Sequence, residues 1–162
     1  MSEPLVVIMM GSQSDLETMK EAAQILKEFE IPFEMKVLST HRAPEDTATY
    51  AKDLESRGVR VVIAGAGGAA ALAGIVAAYT PLPVIGIPIE TTALNGMDSL
   101  LSTVQMPPGV PVATVAIGKN GAKNAAYLAL RILGLSDKKL QKKMRDFRES
   151  QRQKILSTKV TI

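Results

Sequence analysis

The sequence predicts an α/β fold with one doubly wound parallel sheet, flavodoxin-like or Rossmann-like in topology. Strand-like and helix-like segments alternate five times with short connections, which is typical of this fold class. The strand-like runs at residues 5–10 and 59–64 are continuously apolar, as expected for strands covered by helices on both faces. A length of 162 residues suits a single domain. We therefore expect three layers over residues 1–162.

The elements follow from apolar spacing and from the residues that punctuate it. Strands are predicted at residues 5–10, 33–38, 59–64, 83–89 and 110–117. The first helix has apolar positions Leu16, Met19, Ala23 and Leu26 at helical spacing, with Ser14 or Asp15 as its N-cap. Further helices are predicted at residues 44–57, around 75–79, at 97–104 and at 120–133, where proline and glycine mark several of the boundaries.

The tail from residue 137 to residue 162 differs from the rest of the chain in charge. It carries 9 basic and 3 acidic side chains, whereas residues 1–136 carry 10 and 13. Leu140, Met144, Phe147 and Ile155 lie near helical spacing within it. The pattern predicts a basic amphipathic helix that extends the fold and lies either on a subunit interface or on its own domain.

Composition excludes several classes of function. The chain has no cysteine and one histidine, so we expect no disulfide, no cysteine-ligated zinc and no histidine metal cluster, and a cytoplasmic location. Aromatic residues are few and the basic residues gather in the tail, which argues against nucleic acid as a partner. Residues 61–89 carry no charge, but glycine and proline divide them into strand, helix and strand, which predicts burial and no membrane span.

The one histidine lies in the segment Leu38-Ser39-Thr40-His41-Arg42-Ala43-Pro44, between a predicted strand and a predicted helix. Loops at the carboxyl ends of parallel strands are where ligands bind in such folds. Imidazole both gives and takes a proton near neutral pH, and an adjacent arginine favours an anionic substrate. The alternative is an ordinary surface loop.

The loop after the first strand reads Gly11-Ser12-Gln13-Ser14-Asp15 and opens onto a helix. Free backbone N–H groups and the positive end of a helix dipole make such a loop an anion site, for which phosphate is the obvious ligand. Plain helix capping explains the same residues.

Residues 65–74 form the most glycine-rich stretch and follow the third strand. Gly65, Gly67 and Ala70, with Glu90 twenty residues further on, also fit a dinucleotide-binding fingerprint. That fingerprint normally follows the first strand of its fold, and two strand-helix units precede this one, so dinucleotide binding is a remote alternative.

Four motifs together resemble the PurE family in order and spacing. They are Met10-Gly11-Ser12-Gln13-Ser14-Asp15, Ser39-Thr40-His41-Arg42-Ala43-Pro44, AGAGGAA at residues 64–70 and DSLLSTVQMP at residues 98–107. The resemblance covers nearly the whole chain. It implies an N5-carboxyaminoimidazole ribonucleotide mutase of purine biosynthesis, an isomerase that moves a carboxylate from N5 to C4 without a cofactor.

The resemblance also implies roles for individual residues. His41 would carry the proton, while Ser12 and Arg42 would bind phosphate and Asp15 the ribose hydroxyls. The other predicted substrate-binding residues are Ser14, Ser39, Gly67, Gly68, Ala69 and Ala70. The family further implies a homo-octamer and functional coupling to an ATP-dependent carboxyaminoimidazole ribonucleotide synthase.

The chain departs from the family pattern after the glycine turn, where the family usually shows Gly-Gly-Ala-Ala-His-Leu-Pro-Gly. Here Ala71 stands in place of the histidine and Ala73 in place of the proline, and Thr40 replaces a usual alanine. Two alternatives stay open: a direct aminoimidazole ribonucleotide carboxylase, and a ribonucleotide-binding relative with little turnover. Arg42 favours the mutase, because the branch of the family that carboxylates directly usually has lysine after this histidine.

Overall fold

The computed structural model describes residues 3–160 and contains five parallel strands in one sheet. They are β1 (Val6–Met10), β2 (Phe33–Val37), β3 (Val61–Ala66), β4 (Val84–Pro88) and β5 (Ala113–Thr114), in the spatial order β2-β1-β3-β4-β5. This order is the flavodoxin-like version of the doubly wound sheet. The predicted fold class is confirmed.

Within residues 3–160, six α-helices cover the two faces of the sheet. They are α1 (Leu16–Glu28), α2 (Pro44–Asp53), α3 (Leu72–Tyr79), α4 (Met97–Val104), α5 (Gly118–Gly134) and α6 (Lys138–Ser157). Ile8 and Ile63 face a core shared with α1 and α5, whereas Val7 and Val62 face a core shared with α2 and α3. The continuous apolar runs of β1 and β3 follow from this burial on both faces.

The register of the central strands brings their carboxyl ends together. Met10, at the end of β1, lies opposite Val37 of β2 and Gly65 of β3. The chain runs outward in opposite directions from β1 and β3, which makes the gap above them the topological switch point where such sheets bind ligands.

Several boundaries differ from the predictions, most of all those of β5, α2 and α3. The strand predicted at residues 110–117 is wrong in length, because only Ala113 and Thr114 pair with β4. Pro111 has no N–H to donate to a neighbouring strand, which limits pairing at the start of this segment. Helix α2 ends at Asp53 rather than at residue 57, and α3 begins at Leu72, so the glycine loop is shorter than predicted.

The predicted N-cap position is confirmed at Asp15, the N-cap residue of α1, although its side chain does not cap the helix. A single 3-10 turn (Gln13–Asp15) precedes α1, and Ser12 caps that turn. Asp15 precedes α1 directly but makes no side-chain cap hydrogen bond to it.

The basic tail forms α6 and packs on α5 through its first half. Leu140 and Met144 are buried, and Phe147 stacks on Tyr127 with ring centroids 5.0 Å apart. Ile155 and Leu156, near the end of the helix, are exposed. The first half therefore lies on its own domain, while a subunit interface along the second half stays a prediction.

The uncharged stretch at residues 61–89 forms β3, α3 and β4. Helix α3 has only eight residues. Over residues 3–160, no helix has both the length and the apolarity needed to cross a membrane.

Candidate active site

A cavity of about 500 Å³ opens at the carboxyl end of the sheet, above β1 and β3. The loops after β1, β2, β3 and β4 all contribute to its lining. Its position is the switch point predicted for ligands in this topology.

The loop after β1 is held by hydrogen bonds among its own polar groups. The Ser12 N–H donates to Oδ2 of Asp15 over 3.1 Å, and the Ser14 N–H donates to Oγ of Ser12 over 3.3 Å. The Ser14 hydroxyl lies 3.0 Å from Oγ of Ser12. Capping therefore occurs in this loop, but the capping hydroxyl is that of Ser12 and not that of Ser14, and both hydroxyl-bearing residues line the cavity. Capping and ligand binding are compatible uses of one loop.

Asp15 is buried, unlike the two serines beside it. Burial raises the pKa of the Asp15 carboxyl above its ordinary value, since water no longer stabilises the charge. The hydrogen bonds from Ser14 and Ser12 and the positive charge of Arg42 oppose this shift in pKa. The carboxyl group still has an open side toward the cavity, where it can accept further hydrogen bonds.

The loop after β2 folds back on Ser39. The Ala43 N–H donates to the Ser39 carbonyl over 2.7 Å, and Nε of Arg42 donates to Oγ of Ser39 over 3.1 Å. The second guanidinium branch donates to the Gly11 carbonyl over 3.2 Å, which joins this loop to the loop after β1. His41 is exposed at the tip of the turn and lines the cavity beside Arg42.

The glycine loop after β3 contains glycines with different roles. Gly65 lies inside the strand, where an added Cβ would come within 2.3 Å of the Met19 sulfur, so its small size serves packing against α1. Gly68 has φ of +64°, and Ala70 has φ of +29°, an unusual value for a residue with a side chain. The first glycine of the dinucleotide fingerprint is therefore a packing residue of the sheet, which weakens that alternative.

The loop after β4 supplies a part of the lining that sequence reasoning did not assign to this site. Glu90, Thr91 and Thr92 border the cavity. Their position in the sequence could have predicted this, since they follow the strand predicted at residues 83–89, whose carboxyl end lies at the same edge of the sheet. None of the three is a glycine or a histidine, and Glu90 fits a sequence motif only as the acidic residue of the dinucleotide fingerprint.

Comparison with known proteins decides the family. A profile of the family described as AIR carboxylase matches residues 5–154. The chain belongs to the AIR carboxylase family.

Curated relatives match over nearly the full length. A protein of Saccharolobus solfataricus named N5-carboxyaminoimidazole ribonucleotide mutase is 59% identical over 97% of this chain and 98% of its own. A Bacillus subtilis protein of the same name is 56% identical over 96% of both chains. Among solved structures, Treponema denticola PurE superimposes with a TM-score of 0.86 at 33% identity, over 94% of each chain.

Most of the residues predicted for an AIR carboxylase site meet at this one cavity. Ten were predicted, and those that line it are Ser12, Ser14, Asp15, Ser39, His41, Arg42, Gly67 and Ala70. Gly68 and Ala69 belong to the same turn but lie outside the lining, and the role of every one of the ten stays a prediction. Within residues 3–160, no three carboxylate or imidazole groups come together as metal ligands would.

Two of the three positions at which this chain departs from the family pattern, Thr40 and Ala71, border the cavity. Ala71 lines it at the N-terminus of α3, next to Leu72. Ala73 is buried in the first turn of the same helix. The Thr40 hydroxyl is buried without a hydrogen-bond partner among the described residues, although its residue borders the cavity.

Proposed function

We infer that this chain is an N5-carboxyaminoimidazole ribonucleotide mutase, an isomerase of purine biosynthesis. The observation that carries this conclusion is the match to curated mutases of equal length, at 59% identity over 97% of the chain. The cavity agrees with it in chemistry, because it combines one proton carrier with groups that bind anions and hydroxyls.

The reaction breaks one bond to carbon and forms another. The bond between N5 and the carboxyl carbon breaks, carbon dioxide is released into the pocket, and N5 gains a proton. Ring carbon C4 then attacks the carbon dioxide, and C4 loses its proton. The proton given to N5 and the proton taken from C4 balance, so one acid-base group can serve both steps.

His41 is the group we assign to both proton transfers. It is the only histidine of the chain, and its exposed imidazole lies at the cavity on a loop held by Ser39 and Arg42. Imidazole is effective in both directions because its ordinary pKa of ~6.5 lies close to the working pH. A pocket closed by the ligand would keep carbon dioxide beside C4.

Arg42 and Ser12 are assigned to the phosphate of the ribonucleotide. Ser12 lies in the loop that precedes α1, and Arg42 donates to the Gly11 carbonyl in the same loop. A phosphate there would receive a charge-assisted hydrogen bond from the guanidinium and others from the loop. Asp15 is assigned to ribose hydroxyls, for which its carboxylate is an acceptor, and the turn at residues 67–70 is assigned to the base.

Direct carboxylation of the aminoimidazole is the second candidate, since the family as a whole is described as AIR carboxylase. The two reactions form the same product from different carbon sources. The mutase moves the carboxylate already on N5, whereas the carboxylase takes up carbon dioxide from solution.

We further propose a cytoplasmic homo-octamer that depends on an ATP-dependent synthase for its substrate. Exposed apolar side chains on α4 support subunit contacts, with Met97 and Leu101 each 52% exposed, and so does Ile155 on α6. We expect the segment 105–107, just beyond α4, to lie near a neighbouring subunit's site. Light scattering should return the mass of eight chains, and a monomer mass would contradict this assembly.

Labelled bicarbonate distinguishes the candidates. The purified chain is given N5-carboxyaminoimidazole ribonucleotide in the presence of ¹³C-bicarbonate, and the C4-carboxylated product is analysed by mass spectrometry. We expect rapid conversion with little label in early product. In a parallel reaction the chain is given aminoimidazole ribonucleotide, and fully labelled product from it would indicate the direct carboxylase. No conversion of either substrate would indicate a binding protein.

A further inference from the structure

Helix α4 touches two of the four loops that border the cavity, through the side chains of its first turns. Asp98, Ser99 and Ser102 each bond to a loop residue, yet none of the three lines the cavity. Their contacts therefore act on the loops and not on a ligand.

Ser99 is the central residue of this contact. Its side chain is fully buried, its hydroxyl donates to the Ile89 carbonyl over 2.7 Å, and its Oγ accepts the Gly68 N–H over 2.9 Å. One oxygen thereby joins the residue that follows β4 to the centre of the glycine loop.

The other two residues extend the same connection. The Thr91 hydroxyl lies 3.0 Å and 3.1 Å from the two carboxylate oxygens of Asp98, and the Ser102 hydroxyl lies 3.4 Å from the Gly68 carbonyl. Both groups are more exposed than Ser99. Water can replace their bonds at little cost, whereas loss of the Ser99 hydroxyl removes the partner of the buried Ile89 carbonyl and of the partly buried Gly68 N–H.

The glycine loop needs such a support for a conformational reason. Between β3 and β4, the last backbone hydrogen bond runs from the Ile89 N–H to the Ala66 carbonyl. Beyond that point Gly68, at φ of +64°, has great backbone freedom, and Ala70 at φ of +29° needs surrounding contacts to hold it. The bond from the Gly68 N–H to Ser99 lies two residues beyond Ala66, where the backbone pairing of β3 with β4 ends.

We propose that Ser99 is a positioning residue for the carboxylate transfer. It fixes Gly67 and Ala70, the two residues of this turn that reach the cavity, against the end of β4. This inference rests on the proposed function. The residues that we assign to phosphate binding lie on the loops after β1 and β2, which Ser99 does not contact. Ser99 therefore acts on the chemical step and leaves substrate affinity nearly unchanged.

The test compares Ser99→Ala with Thr103→Val. Thr103 is a buried residue of the same helix whose hydroxyl donates to the Ser99 carbonyl over 2.7 Å, so its replacement by valine removes a buried hydroxyl without releasing a loop. We measure kcat, KM and the hydrogen-exchange rates of peptides spanning residues 66–71. A change in kcat that Thr103→Val does not share separates positioning from general stability.

Ser99→Ala should lower kcat about tenfold and change KM less than about threefold, with faster exchange at residues 66–71. Thr103→Val should keep kcat within about twofold and leave that exchange unchanged. Should Ser99→Ala not fold, Ser102→Ala removes an exposed hydroxyl that contacts the Gly68 carbonyl over 3.4 Å and donates to the Asp98 carbonyl within α4 over 2.7 Å. It should lower kcat about twofold with a smaller rise in exchange.

Equal kcat values in Ser99→Ala and Thr103→Val, or unchanged exchange at residues 66–71 in the alanine variant, would overturn the positioning role. Lack of turnover in the wild-type chain would instead overturn the proposed function. Faster exchange in the alanine variant would then still report the hold of Ser99 on the loop, so the two failures are distinguishable.

Discussion

The two halves of the cavity wall are held together in opposite ways. On one side, the loops after β1 and β2 are joined by Arg42, an exposed side chain that bonds to Ser39 and to the Gly11 carbonyl. On the other side, the loops after β3 and β4 are joined by Ser99, which is fully buried. We call the loops after β1 and β2 the Arg42 wall, and the loops after β3 and β4 the Ser99 wall.

Exposure decides what each connection can do. Hydrogen bonds of an exposed guanidinium exchange readily with water or with an incoming phosphate, so the Arg42 wall can turn its donors to a ligand. The Ser99 hydroxyl has no access to solvent and must stay bonded to the backbone. We therefore propose that the Arg42 wall supplies the reacting and phosphate-binding groups, while the Ser99 wall supplies a fixed surface.

Replacing His41 should produce the largest effect, because it removes the side chain to which we assign proton transfer on the Arg42 wall. His41→Asn should lower kcat by about 10²–10⁴-fold, the usual contribution of a general acid-base group. Asparagine keeps a polar side chain of similar reach, so ribonucleotide affinity should stay within about tenfold by calorimetric titration. Retained turnover in this variant would refute the assignment of His41.

Replacing Arg42 should weaken binding more than it slows the chemistry. Arg42→Ala should cost about 2 kcal/mol of ribonucleotide affinity through loss of a charge-assisted bond to phosphate. Arg60, an exposed arginine just before β3 at the opposite edge of the sheet, provides a control, since Arg60→Ala should leave affinity unchanged. If the unphosphorylated nucleoside binds as tightly as the nucleotide, the phosphate role of Arg42 is wrong.

Restoring the family residues beside the Ser99 wall should have a modest effect. Ala71→His places an imidazole at the cavity, and Ala73→Pro falls in the first turn of α3, where a proline is tolerated. If the fixed glycine loop already shapes the pocket, the rate gain should be at most about tenfold, or about 1.4 kcal/mol of barrier. A gain of several orders of magnitude, for either the single or the double variant, would mean that the natural chain is a binding protein.

The smallest predicted effect concerns the pH dependence of stability at Asp15. Burial raises its pKa above 3.8, so the native state binds more protons than the unfolded state between 3.8 and the raised pKa. Stability therefore falls as pH rises through that interval, and the cost of the buried charge persists above it. Asp15→Asn should remove this contribution. Urea unfolding at pH values from about 3.5 to 6 measures it, and an identical pH dependence in both proteins would contradict it.

Sequence patterns were sufficient for the sheet because burial leaves a direct trace in them. The apolar runs at β1 and β3 predicted two-sided burial, and glycine and proline marked most helix ends. The fifth strand was overestimated, since Val110 and Val112 suggest a strand while Pro111 limits its pairing. The N-cap of α1 lies at Asp15, one of the two predicted positions. The 3-10 turn before it, capped by Ser12, was not predicted, because a turn of three residues has no periodicity to reveal it.

The Arg42 wall was predictable, whereas the Ser99 wall was only partly so. His41, Arg42 and Asp15 are residue types whose chemistry suggests a site wherever they follow a strand. The bond between Ser99 and Gly68 spans 31 residues, and a serine inside a helix gives no local sign of such a partner. The role of Gly65 was likewise hidden, because only the fold brings the Met19 sulfur against it.

The most direct test measures Kd for the ribonucleotide and kcat for the carboxylate transfer in two variants, Arg42→Ala and Ser99→Ala. If the two walls divide their work as described, Arg42→Ala raises Kd about thirtyfold, and Ser99→Ala lowers kcat about tenfold with Kd within about threefold of wild type. If both variants change the same quantity by the same factor, the walls do not differ in function.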